Sequence, residues 1–280
     1  MNQIEITPRL KKAKSLARSA GAVVMQVARD GFEQSLKDDR SIVTTADLKS
    51  NDHILEGLQD SFPEDGILTE ESGTLGNPDS DFLWVVDPVD GTRAFAQQIA
   101  GFSVMIGLLH KEQPVLGVVY DPLEDWLYYA AAGEGAFMVS PGASEPKRAQ
   151  VSERCEKGTM PLISSPGLDE DVRNRILSEG QLVEGTLINS VGIKVGLLIR
   201  QVGDVYFNYH SVSYWDTAAP LLIAREAGAQ ASMLDGRPFE YDLTDPKLKH
   251  RGPSLVTNGK RHEELRETIA AIFEPNLSDS

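Results

Sequence analysis

The sequence predicts a mixed α/β protein in two parts: an α+β part over residues 1–145 and an α/β part over residues 146–280. Three observations carry this. An apolar stripe at helical spacing runs through Pro8–Arg29. Short β-rich apolar runs crowd residues 82–139 with brief turns between them, as in an antiparallel meander. Beyond residue 160, helical and strand patterns alternate, as they do in α/β layers.

In Pro8–Arg29 the recurring apolar positions are Ala13, Leu16, Ala17, Ala20, Val23 and Val24. A charged run, Lys37–Arg40, and the short segment Ser41–Asp47 follow. A second helix is expected over Asp47–Ser61, with Ile54, Leu55 and Leu58 on one face; Asp47 taken alone reads as its N-cap. Pro63-Glu64-Asp65-Gly66 is a turn cluster, and Gly66–Glu71 a short strand. Phe82–Val86 reads as a buried strand that Pro88 should end, followed by a short helix over Arg93–Gln98. Strands are expected at Ser103–His110 and Pro114–Tyr120 around a Lys111-Glu112-Gln113 turn, with Tyr120-Asp121-Pro122 as a strand-ending turn. Trp126–Ala130 and Gly135–Val139 form another hairpin, and Pro141–Arg148 is a polar connection.

In the second part, Leu162–Ser165 reads as a strand and Glu170–Glu179 as a helix. A helix within Ile188–Val202 precedes a strand at Val205–Asn208. Thr217–Ala227 is helical and stops at Gly228. Ser254–Thr257 is a strand and Glu263–Phe273 the closing helix, and only Asn276–Ser280 looks unstructured.

With 42 acidic against 27 basic residues, the formal charge is −15. So acidic a chain is poorly suited to nucleic acid polymers or anionic membranes. An anionic small-molecule substrate is compatible with it only where bound cations invert the local field. The single cysteine, Cys155, permits no internal disulfide or cysteine-based metal cage and reads as a free thiol. His53, His110, His210, His250 and His262 show no metal-ligand spacing and read as surface or loop residues. There is no apolar run long enough for a transmembrane helix, and Met1–Ala20 is too charged for a signal peptide, so a cytoplasmic enzyme is expected.

The most informative stretch is Asp87-Pro88-Val89-Asp90-Gly91-Thr92. A strand delivers Asp87 to its end, the turn brings Asp90 back beside it, and both carboxylates can face one ion. Gly91 permits close backbone approach, and amides at a helix start suit a phosphate oxygen. Hard oxygen ligands without His or Cys point to Mg2+ rather than zinc. An Asp-rich turn capping a helix is the bland reading. Five specified residues in this window arise by chance on the order of once in 10,000 such chains, which weighs against it.

Asp-Pro-x-Asp-Gly-Thr after an apolar strand resembles the signature of the lithium-sensitive, metal-dependent phosphomonoesterases, the inositol monophosphatase superfamily. Its members include fructose-1,6-bisphosphatases and 3'(2'),5'-bisphosphate nucleotidases. Other elements of the pattern occur in order: Asp47 closing Val43–Asp47, the pair Glu70-Glu71, and Trp215-Asp216. Gly228 is followed by Ala229 where the family usually has a second glycine. The resemblance spans residues 40–230.

It implies a layered αβαβα sandwich, with an N-terminal metal-binding part and the site between the parts. It implies Mg2+ as cofactor, two to three ions, with Glu70, Asp87, Asp90, Asp216 and the Val89 carbonyl as ligands, Asp87 bridging, and Glu71 as a secondary candidate. Asp47, Glu70 and Thr92 become the catalytic residues, and the Gly91 and Thr92 amides bind phosphate. Metal-activated water would attack phosphorus directly, with Thr92, paired to Asp47, either accepting its proton or orienting it. Homodimers are common among such proteins; no interface is legible here.

For the substrate, three features resemble the bisphosphate nucleotidases: Arg93 after the signature threonine, Ser190-Val191-Gly192-Ile193-Lys194, and Tyr206–Tyr209 without the carboxylate that inositol monophosphatases carry there. A substrate phosphorylated at two ends needs a second cation, which Arg93 or Lys194 can supply. The expected substrate-binding set is therefore Gly91, Thr92, Arg93, Ser190, Lys194 and Asp216, acting on 3'-phosphoadenosine 5'-phosphate. The alternatives are an inositol-1-monophosphatase or broad sugar-phosphate phosphatase, and a non-catalytic phosphometabolite-binding module.

Overall fold

A computed structural model describes residues 3–37, 40–77 and 79–277; the charged run Lys37–Arg40 and the tail Asn276–Ser280 fall partly outside them. The N-terminal periodicity becomes α1 (Gln3–Asp30). It starts before Pro8, which sits at the sixth helical position and removes one N–H from the ladder there. The antiparallel pair β1 (Gln34–Leu36) and β2 (Ile42–Thr44) leads into α2 (Thr45–Ser61). Thr44, not Asp47, is the N-cap: its side chain accepts the Ala46 N–H while Asp47 reaches back to the Thr44 N–H, as in a capping box.

The strands β3 (Gly66–Thr69), β4 (Gly73–Gly76) and β5 (Phe82–Asp90) precede α3 (Thr92–Ala96). The meander β6 (Ser103–His110), β7 (Gln113–Asp121), β8 (Trp126–Ala131), β9 (Gly135–Val139) and β10 (Lys147–Ala149) completes an eight-stranded sheet ordered β10-β9-β8-β7-β6-β5-β3-β4. All neighbours are antiparallel except β3 and β5. Pro88 does not end β5. Pairing with β6 breaks between Asp87 and Asp90 and resumes, because Pro88 has no N–H to donate. The Pro88 carbonyl accepts the Ser50 hydroxyl of α2 instead, at 2.9 Å.

The second part runs β11 (Pro161–Ser164), α4 (Glu170–Glu179), β12 (Val183–Leu187), α5 (Val191–Ile199), β13 (Val205–Asn208), β14 (Val212–Ser213), α6 (Ala218–Glu226), β15 (Gln230–Met233), β16 (Lys249–His250), β17 (Ser254–Thr257) and α7 (His262–Leu277). Its five-stranded sheet has the order β12-β11-β13-β17-β15, and β14 pairs with β16 apart from it. The strands β1, β2, β4, β10, β12 and β14–β16 escaped the sequence reading; they are short, and several are largely exposed, so they carry little apolar period.

Side-chain alternation sets the layers. Trp84, Val86, Ile106 and Val118 of the first sheet bury against α1 and α2. Met105, Val119 and Tyr128 point the other way, onto Val191, Val195, Ala219 and Leu222 of α5 and α6. The second sheet adds Ile163, Tyr206 and Val256 to that layer. Its opposite face, with Leu162, Val205 and Leu255, covers Ile176, Leu265 and Ile269 of α4 and α7. The result is the expected α/β/α/β/α stack. At Gly117 an added Cβ would lie 2.5 Å from the Ala219 carbonyl, so glycine there lets α6 seat against the sheet. No helix among the described residues is long and apolar enough to cross a membrane.

Two histidine expectations are corrected. His250 and His262 are buried: Thr217 meets Nε2 of His250, and Ser232 and Thr257 meet the two ring nitrogens of His262.

Candidate active site

Parallel pairing of β3 with β5 sets Thr69 opposite Val86; the pairing stops there, so Glu70 and Asp87 come side by side at one end of the sheet. Glu70 is held there by its N–H, which donates to the Val86 carbonyl at 3.2 Å. The break around Pro88 turns the chain, and Asp90 follows on the same edge. Gly91 takes φ +92°, a conformation that side chains disfavour, and a Cβ would sit 2.3 Å from the Gly101 carbonyl oxygen. Asp216 arrives just ahead of α6, where the Ser213 N–H donates to its Oδ2 at 2.6 Å.

Asp87, Asp90 and Asp216 offer carboxylate oxygens that all lie within 4.8 Å of one another. The first two are buried and the third half-buried. Burial pushes all three carboxyls above the usual range. For Asp87, Glu70 and Asp90 add repulsion and drive it well up. Asp216 is pushed up to about 7, by burial, then Asp90, then Glu70. For Asp90, donors oppose the rise. Ser190 Oγ donates to its Oδ2 at 2.5 Å, the Gly192 N–H at 2.8 Å and Ser103 Oγ at 3.0 Å, while the Val191 N–H reaches Oδ1 at 3.2 Å. Such a donor set fits a divalent cation: hard oxygens, close together, whose mutual repulsion the ion would relieve.

Thr92 Oγ1 lies 2.9 Å from Asp47 Oδ1 and 3.0 Å from the Val89 carbonyl, so one hydroxyl proton serves both acceptors. The other oxygen of Asp47 accepts the Thr44 N–H at 2.8 Å and the Thr44 hydroxyl at 2.5 Å. Burial raises the Asp47 carboxyl despite these donors. Glu70 and Glu71 are drawn together by Lys37, whose Nζ stands 2.9 and 2.7 Å from them.

Ser190 lies beneath Asp90 with no solvent exposure. Lys194 is 1% exposed; its ammonium donates to Ser165 Oγ at 2.7 Å and Asn208 Oδ1 at 3.3 Å. Burial lowers it to about 8 against the pull of Asp90 and Asp216, so it stands close to the cluster. Arg93 is exposed on α3. Sequence reasoning missed Lys37, Ser103, Ser165 and Asn208. Each lies far along the chain from the group it bonds, so no local pattern marks it. Thr44 was legible: Thr44-Thr45-Ala46-Asp47 has capping-box spacing.

Comparison with known proteins bears on this geometry. The Inositol monophosphatase family matches over residues 5–276. The 3'(2'),5'-bisphosphate nucleotidase CysQ of Salmonella typhimurium is 34% identical over 237 residues, covering 83% of this chain and 93% of its own. The inositol-1-monophosphatase of a Synechocystis species is also 34% identical over 237 residues, covering 82% and 77%. The solved structure of a Thermotoga maritima IMPase superposes with a TM-score of 0.81 at 23% identity, covering 96% of this chain and 99% of that one. The layered fold, a match over nearly the whole length and relatives that align across most of both chains agree: this chain belongs to the inositol monophosphatase family of phosphoric monoester hydrolases.

Proposed function

We propose that the chain is a Mg2+-dependent phosphomonoesterase that hydrolyses 3'-phosphoadenosine 5'-phosphate to AMP and phosphate. The observation that carries the substrate is Lys194, a buried ammonium beside an otherwise acidic cluster, with two of its three N–H groups engaged. A buried cation there suits a strongly anionic ligand better than a neutral polyol. The 34% identity to an inositol-1-monophosphatase favours inositol 1-phosphate as the second reading. A binding module without turnover is the third.

Asp87, Asp90, Asp216, Glu70 and the Val89 carbonyl would hold two to three Mg2+ ions, with Glu71 a further ligand once Lys37 moves off the pair. Bound there, Mg2+ supplies positive charge that polarises water and neutralises phosphoryl oxygens. The chain's own groups do the rest. The Gly91 and Thr92 amides, at the turn that Gly91 alone can make, hold the phosphate. Thr92 Oγ1 donates to Asp47 and keeps lone pairs for the attacking water, which it orients. Asp47, fixed by Thr44 and already raised, can take the proton that Thr92 Oγ1 gives up. Ser190, Ser103 and the first amides of α5 keep Asp90 in place.

Phosphate release from 3'-phosphoadenosine 5'-phosphate and from inositol 1-phosphate, each with Mg2+ and with EDTA, tests the reading. The expected kcat/KM preference is roughly 100-fold for the nucleotide, about 2.7 kcal/mol in transition-state binding. A preference for inositol phosphate would overturn the substrate and keep the chemistry. No Mg2+-dependent release from any phosphate ester would leave the binding module.

A further inference from the structure

Residues 247–251 read Lys-Leu-Lys-His-Arg. Lys247, Lys249 and Arg251 are exposed, Leu248 is half-buried and His250 is buried: Lys247 lies in the turn closed by the Leu248 N–H on the Asp245 carbonyl, Leu248 takes φ +49°, and Lys249 opens β16. His250 turns inward among Tyr214, Phe239 and Tyr241. The three cations nevertheless converge, because all three line one cavity, in a chain whose formal charge is −15.

Together with Ser211 they line a cavity of about 600 Å3, within the size range of small-molecule sites. Lys247 and Lys249 have no ion-pair partner among the described residues. One amino group of Arg251 is held by the Asp245 carboxylate at 2.8 and 3.0 Å, which orients the guanidinium and leaves its other donors free. Ser211 Oγ accepts the Gly252 N–H at 3.0 Å, so its own hydrogen remains to be donated. Strand register brings this face to the active site. Lys249 pairs with Ser213, and Ser213 is the residue whose N–H holds Asp216. Lys249 acts electrostatically on Asp216.

We propose that Lys247, Lys249 and Arg251, with Ser211, form the subsite for the distal phosphate of a doubly phosphorylated substrate whose scissile phosphate lies at the Asp87–Asp90–Asp216 cluster. This rests on the phosphatase reading above and specifies how it selects its substrate class. Lys194, buried beside the cluster, adds to the pull on an anionic substrate there, while a phosphate that projects away from the cluster toward solvent meets these exposed cations. Exposed lysines on β16 and the turn before it are reached directly from solvent, and their pull on a dianion raises capture as well as affinity.

The test uses matched pairs: adenosine 3',5'-bisphosphate against adenosine 3'-phosphate, and inositol 1,4-bisphosphate against inositol 1-phosphate. Wild type, Lys247→Ala/Lys249→Ala and Lys247→Arg/Lys249→Arg are compared, with a thermal melt to verify folding. In wild type the bisphosphate of at least one pair should have the higher kcat/KM. In the alanine variant that ratio should fall about tenfold or more, through KM, and the arginine variant should keep it. Equal losses on both members of a pair, a ratio that survives the alanines, or no bisphosphate advantage in wild type would each overturn the subsite. A wild type that favours inositol phosphates over nucleotides would overturn the nucleotide substrate alone, since the inositol pair still judges the subsite.

Discussion

Replacing Asp216 by asparagine should stabilise the metal-free protein while destroying its response to Mg2+. The substitution keeps the shape, and the amide oxygen can still accept the Ser213 N–H that Oδ2 accepts at 2.6 Å. What it removes is a charge held close to Asp90 and Glu70 in a half-buried site, where the carboxyl is pushed from 3.8 to about 7. At 1.36 kcal/mol per pKa unit, that difference is about 4 kcal/mol. The sign follows from proton binding. The folded form holds a proton on Asp216 between about pH 4 and pH 7 where the unfolded chain does not, so this group costs stability as pH rises through that window and the full cost stands above about pH 7. Urea unfolding of wild type and Asp216→Asn in EDTA, at about pH 4.5 and about pH 8, reads it directly. The variant should be the more stable by up to about 4 kcal/mol at the higher pH, and the gap should nearly close at the lower. Adding Mg2+ should raise the wild-type midpoint far more than the variant's. A variant no more stable than wild type at about pH 8 in EDTA, with Mg2+ stabilising both equally, would refute the idea of an electrostatically strained cation site.

Asp87→Asn should cut Mg2+-dependent turnover by orders of magnitude without loss of fold, because among the described residues the Asp87 carboxylate accepts one hydrogen bond, from the Val89 N–H at 3.0 Å. Asp90→Asn should lose turnover and also about 1–3 kcal/mol of stability in urea unfolding, since both its oxygens face fixed backbone N–H groups and an amide NH2 would meet one of them either way round. Thr92→Val should lower kcat roughly 100-fold or more with little change in KM, and Thr92→Ser should recover most of it, if the hydroxyl orients the attacking water. With Lys194 lowered to about 8, KM for 3'-phosphoadenosine 5'-phosphate should rise as pH climbs past about 8 and the ammonium is lost; a flat KM profile there, matched by Lys194→Arg, would remove this lysine from binding.

The layers and the site edge were largely legible, for different reasons. The meander from Ser103 to Val139 is read from runs of β-formers broken by short turns, and the structure keeps those strands to within a residue or two. Helix boundaries depend on caps: α4 over Glu170–Glu179 matches its expectation because Asp169 caps it and accepts two N–H groups. α1 was mistimed because Pro8 looked like a start. Along the site, the signature put Asp87 and Asp90 on one strand end, but nothing local announces that Ser103, or Ser190 from the other part of the chain, satisfies Asp90. Lys37 is the clearest case of a hidden residue. It belongs to a charged run that looks like surface, and only the fold carries it to Glu70 and Glu71.

The same bonds explain how the carboxylates divide the work. Burying a carboxylate is costly unless donors or cations meet it. Asp90 is met by donors, three of the four coming from residues 190–192 at the start of α5, where the helix N-terminus favours a negative charge. Its ionised form is therefore largely satisfied by protein, and its carboxylate also ties the edge of the first sheet to the second part of the chain. Asp87 and Asp216 receive one N–H each while facing Glu70 and Asp90. Among the described residues these charges are only weakly answered, Asp216 by Lys249, so the demand for a cation concentrates on these two. Docking of α5 and α6 onto the sheet creates that demand, because Asp216 comes from one part and Asp87 from the other. A cation bound there would therefore bridge the first sheet and the start of α6 as well as serve the site, and the metal-free protein should loosen first where α6 enters.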